Sequence, residues 1–283
     1  MPDAEKLITM IYRAIEAVRS TAGRRGKLIE LNSAHEVIVV GDLHGNLDNF
    51  KRILPELQLK DNPHRHLVLQ EVIHGKHSYP TGGDKSHQLL DVFCAMKSQF
   101  PQQVHLIMGN HELSQWIDRP IVKGGTNNND RFLAGIAEYY GATHVDRIED
   151  AYKKLFKMLP LAIRTSNRVF ISHSIPGKKY RDQFALHHLE TDSPPNQDLL
   201  PGGSIYELLW GRDVSEENVK NFLGKVACDW LITGHIPCDN GYLLPNPHQV
   251  VIETSELPGA YIRFATNIPL NHELLVSGIK MLH

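Results

Sequence analysis

Four short segments concentrate the residue types that hold metal ions: Gly41-Asp42-Leu43-His44-Gly45, Gly109-Asn110-His111-Glu112, Ser172-His173 and Gly234-His235. Each follows directly on an apolar run, so acids, imidazoles and an amide fall where strands end and loops begin. A metal site is assembled in this way from distant stretches of chain, each giving one or two donors to a common rim. Aspartate, asparagine and glycine are also ordinary turn residues, and a histidine at a strand end is as readily a core residue bonded to backbone. One such segment carries little weight, and four in series favour ligation.

The elements that must position these donors alternate. Val37-Ile38-Val39-Val40 is β-branched and short enough for a buried strand, and it leads through the aspartate-histidine loop into a helical pattern at Leu47, Phe50, Ile53 and Leu54. The unit repeats with His66–Leu69 as strand and Gln88–Phe100 as helix, then with Val104–Met108 as strand running into Gly109. This βα alternation predicts a layered α/β architecture with ligands at the carboxyl ends of strands. After Leu159-Pro160 the pattern becomes a hairpin, Leu161–Arg164 and Val169–Ser172, with further strands predicted at Trp230–Thr233, Gln249–Ile252 and Tyr261–Phe264, hence two sheets. His187–Gly203, with three prolines and two glycines, is expected to be an irregular, mobile loop. Leu7, Ile8, Ile11, Ile15 and Val18 mark an amphipathic helix within an N-terminal extension over residues 1–27, packed on the outside of a single domain over residues 28–283.

Bulk properties narrow the function classes. A chain of 283 residues that is 41% hydrophobic buries a full core, and a net charge of −2 gives no reason to expect nucleic acid or an anionic membrane as partner. No apolar stretch is long enough to span a bilayer, and Met1-Pro2-Asp3-Ala4-Glu5-Lys6 lacks the order of a signal peptide, so a cytoplasmic location is expected. Cys94, Cys228 and Cys238 are an odd number without zinc-finger spacing. Gly82-Gly83-Asp84-Lys85-Ser86 lacks the glycines of a phosphate-binding loop and is set aside.

In these motifs and their order the chain resembles the calcineurin-like metallophosphoesterases, within them the phosphoprotein phosphatase (serine/threonine phosphatase) type and its bacterial relatives. Leu159-Pro160-Leu161-Ala162, Leu208-Leu209-Trp210 and Gly234-His235-Ile236-Pro237 add to the likeness. The resemblance implies a four-layer α/β/β/α sandwich of two mixed sheets flanked by helices, with two metal ions at the rim. It implies Asp42 and His44 on the first metal, Asn110, His173 and His235 on the second, and His111 as the acid beside the leaving group. Carboxylate, amide and imidazole donors suit manganese, iron or zinc. Two such cations acidify a shared water and clamp the oxygens of an in-line displacement, so the expected reaction is attack by hydroxide on a phosphate ester. The expected partner is a phosphorylated substrate, a phosphoprotein or a small phosphate ester; the sequence names no protein partner.

The resemblance fails at the second motif, where the family has Gly-Asp-x-x-Asp-Arg-Gly and this chain has Gln70-Glu71-Val72-Ile73-His74-Gly75-Lys76. In register, Glu71 replaces the aspartate that bridges the metals, His74 the aspartate that orients the catalytic histidine, and Gly75 the arginine that grips phosphate. Glutamate keeps the charge and adds a methylene, so Glu71 is expected to bridge from a strand end set back by about a bond length. A rival register places Thr81-Gly82-Gly83 there and leaves Asp84 to reach inward. The segment 76–84 is taken as an insertion whose Lys76, His77, Asp84 or neighbouring Lys85 could restore the phosphate grip. Arg212 is a second candidate anion clamp, against a surface ion pair with Asp213 or Glu216. His64, His66, His74, His77 and His87 are expected to form a solvated polar loop, with His74 the one that could reach His111, and Glu112 and Asp118 are expected to support the site. Two other functions stay open: a phosphatase-like binding or regulatory protein with impaired turnover, and a hydrolase of dinucleotide polyphosphates or cyclic nucleotides.

Overall fold

The computed structural model describes residues 2–283. The chain begins with α1 (Ala4–Arg19), capped by Asp3 accepting from the Lys6 amide and burying Leu7, Ile11, Ile15 and Val18. Next come β1 (Arg24–Arg25), β2 (Leu28–Leu31), β3 (Glu36–Asp42), α2 (Leu47–Leu57), β4 (Arg65–Gln70), α3 (His87–Gln99), β5 (Val104–Ile107) and α4 (Asn110–Trp116). A small hairpin, β6 (Val122–Lys123) and β7 (Thr126–Asn127), precedes α5 (Asn128–Tyr140) and α6 (Val145–Met158). The second half carries β8 (Ala162–Thr165), β9 (Val169–Ser172), α7 (Ser204–Trp210), α8 (Glu216–Val226), β10 (Trp230–Thr233), β11 (Tyr242–Asn246), β12 (Gln249–Ile252), β13 (Gly259–Ala265), α9 (His272–Ser277) and β14 (Ile279–Leu282).

Two mixed sheets result, one in the order β1-β2-β8-β9-β10-β12-β11 and one in the order β14-β13-β3-β4-β5. Strand alternation explains how they stack. Along β3, Val37 and Val39 point into an apolar layer shared with Ile163, Ile171, Ile232 and Val250 of the other sheet, whereas Ile38 and Val40 point into the layer covered by helices. A strand buried on both faces needs an unbroken apolar run, which is why β3 and β9 carry no polar alternation. Helix α1 packs against both α3 and α6. Sheet against sheet, with helices outside, is the α/β sandwich expected from the sequence. No helix among the described residues is long and apolar enough to cross a membrane.

Three expectations are corrected. His187–Gly203 is not wholly irregular: it contains short 3-10 turns at Leu186–Leu189 and Asn196–Leu199, anchored by buried Leu189 and Leu199. The histidines near residue 70 are not one solvated loop, because His66, His74 and His87 are buried while His64 and His77 are exposed. His66 stacks on His105 of the neighbouring strand with Nδ1 3.0 Å from Nε2, and burial lowers the His66 pKa to about 4, so the pair is neutral. Asp118 faces solvent and pairs with Lys153, away from the ligand segments.

Burial also reaches an ammonium group. Lys97 of α3 donates to Thr21 Oγ1 at 2.9 Å and to the Pro101 carbonyl at 2.6 Å, with no carboxylate partner among the described residues. Desolvation, with the charge of Arg24 adding to it, lowers its pKa from 10.5 to about 7. Between these values the unfolded chain binds the proton and the folded chain does not, so stability rises with pH across that window. Denaturant unfolding of the wild type and Lys97→Met should therefore give a difference that moves in favour of the wild type by up to about 1.4 kcal/mol per pH unit above about pH 7. A pH-independent difference would mean that the ammonium stays solvated.

Candidate metal centre

Five strand ends converge. The parallel strands β3, β4 and β5 deliver Asp42, Glu71 and Asn110, and the parallel strands β9 and β10 of the other sheet deliver His173 and His235. The two sheets are tied at this rim by backbone: Gly41 N–H donates to Thr254 Oγ1 at 2.9 Å, Thr254 N–H to the Asp42 carbonyl at 3.2 Å, and His235 N–H to Asp42 Oδ2 at 2.8 Å. The Glu71 carbonyl accepts from the amides of Leu43 and His44 at 3.0 and 2.9 Å, fixing the first ligand loop against the second.

Glu71 lies in the middle of the donors. Its Oε1 is 3.2 Å from His44 Nε2 and its Oε2 is 2.8 Å from His173 Nε2, with the carboxylate almost fully buried. His173 Nε2 is also 2.8 Å from Asn110 Oδ1 and 3.1 Å from His235 Nδ1. His44 is set by its other nitrogen, Nδ1, which is 3.1 Å from the Ile73 carbonyl. A carbonyl can only accept, so Nδ1 carries a proton and Nε2 is the nitrogen turned toward Glu71. Asp42, Glu71 and His173 offer atoms within 4.8 Å of one another, as do His44, Glu71 and His111.

The donor set fits cations. Asp42 Oδ1, Glu71 Oε2, His173 Nδ1 and His235 Nε2 are buried without a hydrogen-bond partner, although lone burial of such atoms is costly. Glu71 Oε2 stands 2.8 Å from His173 Nε2 outside hydrogen-bond geometry, so the carboxylate oxygen is not satisfied by that contact. Burial, reinforced by the charge of Glu71, raises the Asp42 pKa well above the usual carboxylate range. Burial acts the same way on Glu71 but is outweighed by the imidazoles of His173, His111 and His44, which hold its pKa well below. Space is also reserved for the carboxylates: a Cβ at Gly109 would overlap Glu71 Oε2, and one at Gly234 would overlap Asp42 Oδ1. His44, Glu71, His74 and His235 all have positive φ, between 37° and 66°. Such left-handed backbone is uncommon outside glycine and clusters where a site imposes it.

His111 stands at the edge, its Nε2 3.6 Å from Glu71 Oε1. Its Nδ1 is 2.9 Å from His74 Nδ1, and His74 Nε2 is 3.0 Å from Gln115 Oε1. The amide oxygen takes the His74 Nε2 proton, leaving Nδ1 to accept from His111. Burial lowers the His74 pKa to about 4, so it orients His111 as a neutral imidazole. Glu112 accepts from the amides of Val72 and Gly109 at 2.9 and 3.0 Å and so braces the strand end that carries Glu71. Burial raises its pKa to about 7, with the charge of Glu71 adding to the shift.

The rival register has no counterpart at the centre. Thr81 is exposed and bonds Glu138, while Asp84 is turned onto the amides of Gly75 and Ser86. Arg212 is exposed and donates to the His235 carbonyl at 3.1 Å; Asp213 and Glu216 are occupied by Ser215 and Lys220 instead. Thr254 and Gln115 were missed by sequence reasoning. Gln115 had a signal, standing four residues after His111 on α4, one turn along the same helix face.

A family model described as calcineurin-like phosphoesterase matches residues 35–239, more than half of the chain. A probable serine/threonine-protein phosphatase of Encephalitozoon cuniculi is 26% identical over 255 residues, covering 83% of this chain and 51% of that protein. Serine/threonine-protein phosphatase 5 of Homo sapiens is 23% identical over 251 residues, covering 82% and 45%. The chain thus spans about half the length of these curated relatives. Among solved structures, a Saccharomyces cerevisiae protein serine/threonine phosphatase with similarity to human PP5 superposes with a TM-score of 0.71 at 17% identity, over 100% of this chain and 90% of that one. A cold-active protein-tyrosine phosphatase of a psychrophilic Shewanella species gives 0.60 at 14% identity, over 95% and 84%. These likenesses establish the fold.

The two rim glycines have φ values that alanine accepts, so only space opposes the substitution. Gly109→Ala and Gly234→Ala should each lower manganese affinity by roughly 10–100-fold while far-UV circular dichroism is unchanged. Calorimetric titration measures the affinity, and undiminished binding in both variants would place the metal elsewhere.

Proposed function

The chain belongs to the calcineurin-like phosphoesterase family, and from that premise we propose that it is a metal-dependent phosphatase that hydrolyses a phosphate ester. Asp42 and His44 would hold one cation, Asn110, His173 and His235 the other, with Glu71 shared between them. Manganese, iron or zinc suits these donors. The observation that carries this reading is the position of one buried carboxylate between two donor groups, Oε1 at 3.2 Å from His44 and Oε2 at 2.8 Å from His173. When bound, the cations would supply Lewis acidity, easing ionisation of water and offsetting charge on the phosphoryl group.

The side chains around them have separate tasks. His111 would give a proton from Nε2 to the departing oxygen. Its Nδ1 proton is held by His74, 2.9 Å away, so the ring presents one fixed nitrogen to the centre. His74, kept in place by Gln115, performs the orienting task with a neutral acceptor rather than a carboxylate. A neutral acceptor stabilises the His111 cation less than a carboxylate would, and burial lowers the His111 pKa well below its ordinary value, so the ring gives up its proton readily once protonated. Arg212, with no carboxylate partner among the described residues, would add charge on the His235 side. The reading takes a phosphate monoester as substrate, on a protein or on a small molecule. Support for the protein alternative comes from the serine/threonine phosphatases among the relatives.

Manganese-loaded protein should hydrolyse aryl phosphates, and Asp42→Asn should abolish turnover together with bound metal. His111→Gln should lower kcat on phenyl phosphate by roughly 10²–10⁴-fold, with much less effect on p-nitrophenyl phosphate, whose leaving group departs without a proton. Metal content should be unchanged in that variant. Equal losses on both esters would remove the proton-donor role, and bound manganese without turnover on any phosphate ester would make the protein a binding module.

A further inference from the structure

A cavity of about 290 Å³ opens beside the centre, its lining including His44, His74, His111, Lys76, Arg131 and Glu256. An anion entering it meets two cationic side chains in different states. Lys76 is exposed and paired with Glu256. Arg131, half-buried on α5, has no carboxylate partner among the described residues and makes only two long bonds, Nε to the Gly82 carbonyl at 3.4 Å and Nη1 to the Gly75 carbonyl at 3.5 Å. Most of its five donors therefore have no protein acceptor. The nearby carboxylate, Asp84, has its oxygens on Gly75 N, Ser86 N and Ser86 Oγ.

The placement of Arg131 is built in. Helix α5 carries Gly135 in its interior, where a Cβ would overlap the Asp84 carbonyl, and a Cβ at Gly83 would meet the α5 backbone in turn. An interior helix glycine costs about 1 kcal/mol relative to alanine. Here it allows the segment 75–84 to lie directly on the helix, where Asp84 N–H donates to the Arg131 carbonyl at 2.8 Å. The same docking sets the guanidinium over the Gly75 carbonyl. Position 75 itself cannot carry a side chain, because a Cβ there would overlap the His44 carbonyl. Of the other candidates in the segment, Lys85 lies over the Tyr79 ring at 5.0 Å, Asp84 is an acid, and His77 is an exposed imidazole on the cavity wall, without the guanidinium fork.

Resting on the phosphatase reading above, we infer that Arg131 is the phosphate clamp of this protein, a guanidinium supplied from α5 into the space above Gly75 and selecting dianionic phosphate monoesters over monoanionic diesters. A guanidinium fork matches two oxygens of a phosphoryl group, and the contact weakens when one of those oxygens is esterified. Arg131 binds substrate; it takes no part in proton transfer.

The test uses the manganese-loaded full chain with Arg131→Met and Arg131→Lys, p-nitrophenyl phosphate as monoester, bis(p-nitrophenyl) phosphate as diester, and inorganic phosphate as a binding probe. Arg131→Met should raise KM for the monoester and the inhibition constant of phosphate by roughly tenfold, with diester turnover, metal content and unfolding midpoint unchanged. Arg131→Lys should recover part of the loss. Unchanged KM and phosphate inhibition in Arg131→Met would overturn the inference, as would parallel losses on monoester and diester accompanied by loss of metal, which mark a structural role. If the wild type showed no turnover, the phosphatase reading would fail by itself. Calorimetric phosphate binding, present in the wild type and weakened in Arg131→Met, would still support the clamp, and equal or absent binding in both would overturn it.

Discussion

Two carboxylates, Asp42 and Glu71, are buried side by side, and the rest of the site is arranged around that fact. Moving an ionised carboxyl out of water is among the most expensive steps in folding, and placing a second beside it compounds the cost. Hydrogen bonding covers only part of it, since His235 N–H reaches Asp42 Oδ2 while Asp42 Oδ1 and Glu71 Oε2 have no partner. Imidazoles turned inward, such as His44 held by the Ile73 carbonyl, lower the Glu71 pKa, whereas burial beside Glu71 keeps that of Asp42 raised. The arrangement is at home with cations, and the same logic explains why glycines stand at 109 and 234, where any side chain would take up carboxylate space.

Glu71 leaves β4 in a left-handed conformation at φ 37°, and from there its two oxygens reach His44 and His173. Histidine enters that region several-fold more often than most residues, so His44, His74 and His235 are mild cases and Glu71 is the demanding one. Glu112 holds the distorted strand end from below through the amides of Val72 and Gly109. The segment from Glu71 to Gly75 is thus braced throughout, with His74 supported by Gln115 and Gly75 pressed under the His44 carbonyl.

Much of the fold was legible because β3, β4, β5, β9 and β10 are buried on both faces, and burial on both faces writes an unbroken apolar run into the sequence. The polar breaks after those runs located Asp42, Asn110, His173 and His235, since a strand end in a closed sandwich leaves few other places for such residues. Periodicity could not show the positive φ at Glu71, because nothing in the identity of a glutamate announces left-handed backbone. Nor could it show that His66 and His87 are buried, since each depends on a partner far along the chain or across the packing: His105 stacked on one, Tyr139 and Tyr140 against the other. Arg131 was invisible for the same reason. Its relation to Gly75 depends on a loop docking onto α5 through Gly83 and Gly135, a contact of backbones that leaves only two unremarkable glycines in the sequence.

The site is also the seam of the sandwich. Asp42 and Glu71 come from the five-stranded sheet, His173 and His235 from the seven-stranded one, and the isolated bridge between Asp42 and Glu253 joins the two where the ligands meet. A cation bound at the rim would draw both sheets together, so its binding free energy would add to the closure of the fold as well as to any chemistry. Conversely, anything that spreads the sheets would separate the two donor groups that Glu71 spans. Apolar burial between the sheets, through residues such as Val39, Ile171 and Ile232, is thus what holds the ligand geometry, and the layer that stabilises the protein is the layer that sets the spacing of its donors.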